Sequence, residues 1–92
     1  MPRHYYVYVL LSDSDRQFYV GLTRDLLQRL EAHNRGLVSS TKRRRPFQLV
    51  YWEGCLSESD AAKREKYLKT AWGKRYIKTR LRMFLTNSPR GL

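Results

Sequence analysis

Apolar and polar positions along the 92-residue chain fall into blocks with two different periods. Tyr5-Tyr6-Val7-Tyr8-Val9-Leu10-Leu11 is an unbroken run of aromatic, β-branched and aliphatic residues, stopped by the turn formers Ser12-Asp13-Ser14-Asp15. Gln17-Phe18-Tyr19-Val20-Gly21 follows at once, and the two runs read as a β-hairpin. With Asp13 and Ser14 as its loop, Tyr8 lies opposite Tyr19 and both phenols share one face of the sheet. A slip of one residue would separate them.

The period then changes. Thr23 is the expected N-cap of a helix over 24–35, with Asp25 in its first turn, Leu26, Leu27 and Leu30 as an apolar stripe, and Gly36 as the stop. Arg29 and His33 stand four apart and so project from one side of that helix. The stretch from Leu37 to Pro46 is polar and basic and reads as a mobile loop, its proline biasing Arg45 away from helix. Phe47 to Trp52 alternates as a third strand. Ser57 with Asp60 is a capping-box pattern that opens a second helix running to about Trp72, on a stripe of Ala61, Leu68 and Trp72 with Ala62 and Ala71 beside it. Gly73 breaks that helix, and Ile77, Leu81, Phe84 and Leu85 mark a third, ended by Asn87-Ser88-Pro89. The expectation is one domain over 1–85 and a fraying C-terminal tail over 86–92, since a chain this short has room for a single core.

Composition sharpens the picture. Nineteen Lys and Arg against eight Asp and Glu give a formal charge of +11, which points to a polyanionic partner, and the scatter of the basic residues favours nucleic acid over a membrane surface. A basic surface serving only solubility is the alternative. The single cysteine, Cys55, rules out an internal disulfide and a cysteine-based zinc site and suits a reducing cytoplasm. No apolar run reaches the length of a membrane span or a signal-peptide core.

Five positions carry possible chemistry. Glu65 falls on the apolar stripe of the second helix, where a carboxylate would lose hydration; either a divalent cation such as Mg²⁺ or Mn²⁺ compensates it, or an i,i+4 pair with Lys69 does. Arg29 either forks onto a phosphate or pairs with Asp25. His33 either handles protons or simply favours the end of its helix. Tyr8 and Tyr19 are either ordinary strand tyrosines or phenols that activate water. There is no glycine-rich phosphate loop, serine–histidine–acid set, paired-histidine metal motif or zinc-finger spacing, which removes several enzyme classes.

Taken in order, Tyr8, then Tyr19-Val20-Gly21-Leu22-Thr23, then Arg29 and His33-Asn34-Arg35-Gly36, then Lys63-Arg64-Glu65 resembles the GIY-YIG endonuclease superfamily over Tyr5 to Leu81. The chain looks most like short, stand-alone bacterial members, and Arg64-Glu65-Lys66-Tyr67-Leu68-Lys69 with Gly73-Lys74-Arg75-Tyr76 strengthens that placement. The glycine of the first motif is Tyr6 here and its isoleucine Val7, and Val20 replaces the isoleucine of the second. An asparagine that the superfamily often has on its last helix is sought near Thr79.

The resemblance implies an α+β domain, a small three-stranded antiparallel sheet flanked by helices, with the site on one sheet face. It implies a metal-dependent endonuclease that hydrolyses phosphodiester bonds in DNA, selective for structure more than for sequence, with Mg²⁺ or Mn²⁺ as cofactor. Tyr8, Tyr19, Arg29, His33 and Glu65 would be catalytic and Glu65 the metal ligand; a tyrosinate from Tyr8 would deprotonate the attacking water, with Tyr19 and His33 positioning. Lys42, Arg43, Arg44 and Arg45, with Lys63, Lys66, Lys74 and Arg75, would bind the nucleic-acid backbone. The protein would act in the cytoplasm as a monomer or weak homodimer with no membrane partner. Two other readings remain: a non-catalytic nucleic-acid-binding accessory protein on the same fold, and an interaction domain presenting Tyr51, Trp52 and Tyr76.

Overall fold

The computed structural model describes residues 3–87. Strand β1 spans Tyr5–Ser12 and strand β2 Phe18–Thr23; helix α1 is Leu26–Asn34, followed by a 3₁₀ turn at Lys42–Arg44 and strand β3, Phe47–Cys55. Helices α2 (Glu58–Leu68), α3 (Ala71–Arg80) and α4 (Arg82–Thr86) complete the order. The sheet is antiparallel with strand order β2-β1-β3, which confirms the α+β expectation. Of the expected tail over 86–92, Thr86 ends α4 and Asn87 is its C-cap, and 88–92 lie outside the described residues.

The unbroken apolar run of β1 is explained by its place in the middle of the sheet. Val7 to Ser12 are all buried, because both faces of this strand are covered and no alternation with solvent is needed. Val7, Val9 and Val20 pack against Ala61, Leu68 and Ile77 of α2 and α3 on one face. Tyr8, Leu10 and Phe47 pack with Leu26 and Leu30 of α1 on the other. Each such aliphatic side chain contributes roughly 1.5–3 kcal/mol on burial.

The hairpin register differs from the sequence reading by two residues. Tyr8 lies opposite Gly21, and Tyr19 opposite Leu10. The turn is longer than expected because Ser12 Oγ accepts from the amides of Ser14 and Asp15, and Arg16 takes a left-handed φ of 59°. An even shift preserves the face, so Tyr8 and Tyr19 still lie on the same side of the sheet.

Helix boundaries also move. Asp25, not Thr23, is the N-cap of α1: its carboxylate accepts from the Gln28 amide at 3.0 Å. Ser57 caps α2 as expected, accepting from the Asp60 amide at 3.2 Å. That helix ends at Leu68, however, because Thr70 opens α3 by accepting from the Gly73 amide while its hydroxyl donates to the Tyr67 carbonyl. Gly73 therefore does not break a helix; it lies in the first turn of α3, where a Cβ would overlap Leu68 Cα and the Tyr67 carbonyl. Trp72 leaves the stripe and is exposed, as are Ala62 and Ala71. The third expected helix divides into α3 and α4, with Ile77 and Leu85 buried and Phe84 exposed.

The segment read as a mobile loop is instead tied down at several points. Asn34 brackets Phe47, its Oδ1 accepting from the backbone amide at 2.7 Å and its Nδ2 donating to the carbonyl at 3.0 Å. Ser12 Oγ donates to the Arg44 carbonyl, and Thr41 is fully buried. Its partners come from distant parts of the chain, so local composition could not show them.

Candidate functional site

The two-residue register brings Tyr8 beneath the glycine of the second motif. A Cβ on Gly21 would overlap the Cζ and Oη atoms of Tyr8, so only glycine lets this phenol lie across β2. From there Tyr8 Oη reaches the inner face of α1. Arg29 Nε donates to it at 3.2 Å, and it lies 2.9 Å from His33 Nε2. The i,i+4 spacing of Arg29 and His33 thus places both on one hydroxyl, and Arg29 points to Tyr8 while Asp25 is engaged as a cap.

The proton positions follow from the partners. Thr41 Oγ1 has one hydrogen, which it donates to the Val38 carbonyl at 3.3 Å, so it accepts from His33 Nδ1 at 2.8 Å. His33 Nε2 is then bare and accepts the Tyr8 hydroxyl proton. A continuous chain runs from the Arg29 guanidinium through Tyr8 and His33 to Thr41 and the Val38 carbonyl. Burial, aided by the Arg29 charge, pushes His33 down to about 4, so its ring is neutral near pH 7. Burial likewise pushes the Tyr8 phenol up, against the opposing pull of Arg29. Tyr8 therefore rests as a phenol, with only 2% of its surface exposed.

Tyr19 is the more open tyrosine. Its ring centroid lies 6.3 Å from that of Tyr8 and 5.0 Å from that of His33. The Arg29 guanidinium is held in its charged state chiefly by the Tyr8 hydrogen bond and also by Tyr19, and it borders an open cleft of about 360 Å³ with Thr23, Gln28 and Arg35. Tyr8, Tyr19, Arg29 and His33 are thus brought together.

Glu65 approaches from α2. Its carboxylate is partly exposed, carries the Lys69 ammonium at 3.3 Å, and is close enough for its charge to push the Tyr8 phenol upward. The expected i,i+4 pair is therefore formed, and the position already accommodates a positive charge. A hard carboxylate oxygen suits Mg²⁺ or Mn²⁺, which take one or two protein carboxylates and fill their remaining positions with phosphate and water. Among the described residues no three His, Cys, Asp or Glu side chains gather into a metal-ligating group.

The eight expected backbone-binding cations divide. Lys42, Arg43, Lys63, Lys66, Lys74 and Arg75 are exposed. Arg44 is engaged: its Nε donates to Asp15 at 2.6 Å and its Nη2 to the carbonyls of Gln17 and Phe18. Arg45 is exposed but turns its Nε to the Lys42 carbonyl. Sequence reading named Lys69 only as a partner for Glu65 and missed Lys78. Lys69 and Lys74 rim a cleft of about 200 Å³ beside Tyr19, and Lys78 joins Lys74 in the next cleft along α3; the i,i+4 spacing of Lys74 and Lys78 was the available signal. Thr79 stands exposed in a third cleft with Lys74, Arg75, Lys78 and Arg82. Tyr51 and Tyr76 are half-buried, their hydroxyls meeting at 3.2 Å beside Glu53 and Arg64, whereas Trp52 is exposed.

The GIY-YIG catalytic domain family matches residues 4–80, covering all three strands and α1 to α3. The chain belongs to this family. It is similar to UPF0213 proteins of Staphylococcus aureus, among them those of strains COL and MW2, each 43% identical over 67 residues, or 72% of this chain and 80% of theirs. Membership carries a nuclease-type function with nucleic acid as partner. No helix among the described residues is long and apolar enough to cross a membrane.

Proposed function

We propose that this GIY-YIG domain is a metal-dependent endonuclease that hydrolyses phosphodiester bonds in DNA, selecting branched or single-stranded structure over sequence. The observation that carries this reading is the hydroxyl of Tyr8 held between Arg29 Nε and His33 Nε2. A strand tyrosine that only packed would not need a charged donor and a bare imidazole nitrogen on the same oxygen.

Arg29 spends its Nε–H on Tyr8 and a further contact on Tyr19, and of its five N–H groups the remainder can fork onto the scissile phosphate. There the guanidinium offsets negative charge as it grows in the transition state. The buried phenol of Tyr8 does not rest ionised, so its role is a relay. The attacking water gives its proton to Tyr8 Oη as Tyr8 passes its own to His33 Nε2, and the resulting hydroxide attacks phosphorus in line with the leaving oxygen. Thr41 keeps His33 in the tautomer that can accept. Tyr19, at the open side, orients the water. Glu65 would hold Mg²⁺ or Mn²⁺, and the chemistry such an ion would supply there is Lewis acidity toward the phosphate.

The test is cleavage of labelled single-stranded, duplex and branched DNA with Mg²⁺ or Mn²⁺, beside Glu65→Ala, Tyr8→Phe and Arg29→Ala variants. Metal-dependent products are expected, reduced about 10²–10³-fold in the Arg29 variant and lost with Glu65→Ala. Binding without cleavage of every substrate would reject the nuclease and leave the accessory-protein reading.

A further inference from the structure

The sheet face that carries Tyr8 is covered unevenly. Helix α1 lies over Tyr8, Leu10, Phe47 and Leu49 through Leu26 and Leu30, towards one end of β1. At the other end the same face carries Tyr6, two residues before Tyr8, and Trp52, the ladder partner of Tyr8 on β3. Trp52 is 52% exposed. Its ring meets that of Tyr6 edge-on at 5.5 Å, and His4 stacks on Tyr6 at 6.1 Å. Gly54 makes room for this arrangement, since a Cβ there would lie 3.0 Å from Tyr6 Cε1 and 3.2 Å from Cδ1. Tyr6 also occupies the position at which the first motif of the superfamily has glycine, so part of the patch is built by a departure from the pattern.

We propose that Tyr6 and Trp52 form a stacking platform for one unpaired base of the nucleic-acid strand that enters the site. The inference rests on the nuclease reading and extends it with a subsite. The occupant follows from three features. The patch is continuous with Tyr8 across one ladder step, so a strand whose phosphate lies at Arg29 passes beside it. The chain's charge of +11 recruits a polyanion. The exposed ring is that of Trp52, with the half-buried Tyr6 set edge-on beside it, and an aromatic face is something every base can stack upon and a paired, stacked base cannot reach. A second copy of the chain is a poorer fit, because stable protein interfaces use about 20–30 residues a side, against three rings here.

The experiment uses a Trp72→Phe background, so that Trp52 is the single tryptophan, and an oligothymidylate of about 10 nucleotides in EDTA, where binding proceeds without turnover. Trp52 emission and the anisotropy of a labelled strand are read together. Quenching of Trp52 on binding is expected, with little quenching by an abasic strand of equal length. Tyr6→Ala and Trp52→Ala, in the labelled-strand assay, should each weaken single-strand binding about tenfold and duplex binding much less, and Trp52→Phe should restore most of the loss. Strand binding that leaves Trp52 emission unchanged would overturn the platform while leaving the nuclease reading in place. Equal weakening of single-strand and duplex binding, or Trp52 emission that follows protein concentration alone, would also overturn it. Failure to bind any oligonucleotide would overturn both.

Discussion

A phenol shut away from water keeps its proton unless a partner takes it, and at Tyr8 that partner is the bare Nε2 of His33. His33 ordinarily titrates near 6.5 and is pushed to about 4 in the fold by burial and Arg29. The unfolded chain therefore binds more protons at this residue between those two values, so stability rises with pH across that window. The contribution is fully present above about 6.5 and is lost as pH falls towards about 4. A urea-unfolding series over this range should show a decline of roughly 3 kcal/mol in the parent, in excess of that in a His33→Gln variant. Equal slopes for the two proteins would show that His33 is not held neutral. Tyr8, Arg29 and His33 were legible in the sequence because strand alternation and helical spacing fix which side chains share a side. Thr41 was not, because its contact with His33 depends on how a loop folds back, and a threonine in a basic stretch gives no sign of burial.

Among the elements, α2 and α3 show how a local rule can give the right residue and the wrong role. Gly73 reads as a helix breaker, yet the break lies at Lys69 and Thr70, and the glycine lets α3 start hard against the end of α2. Replacing a helical glycine by alanine ordinarily stabilises by about 1 kcal/mol. Here the added methyl meets backbone atoms of Tyr67 and Leu68, so Gly73→Ala should destabilise by about 1–3 kcal/mol. A fall in thermal midpoint checks the sign, and a rise would show that the junction yields. The three strands and the first two helix regions were visible from periodicity. The hairpin register was not, since Ser12 draws Ser14, Asp15 and the distant Arg44 carbonyl into one turn that no dipeptide rule encodes.

For the whole molecule, the charge of +11 was plain in the sequence but its layout was not. Arg44 binds its own chain, whereas Lys74 and Lys78 line open clefts. DNA binding should weaken linearly in log salt, and Lys74→Ala should reduce the slope by about 1 with little change in stability. Arg44→Ala should instead lower stability, and an unchanged slope for Lys74→Ala would place the backbone elsewhere. The folded-back segment between α1 and β3 also divides the chain in a useful way. Ser39 and Ser40 are exposed at its tip, between residues fastened at His33–Thr41 and Asn34–Phe47. A protease nick there would leave β1, β2 and α1 on one fragment and β3 with α2 to α4 on the other. The β1–β3 ladder would hold them together, so the nicked protein should elute from gel filtration as an intact one; the domain is in effect a two-part assembly on a single chain.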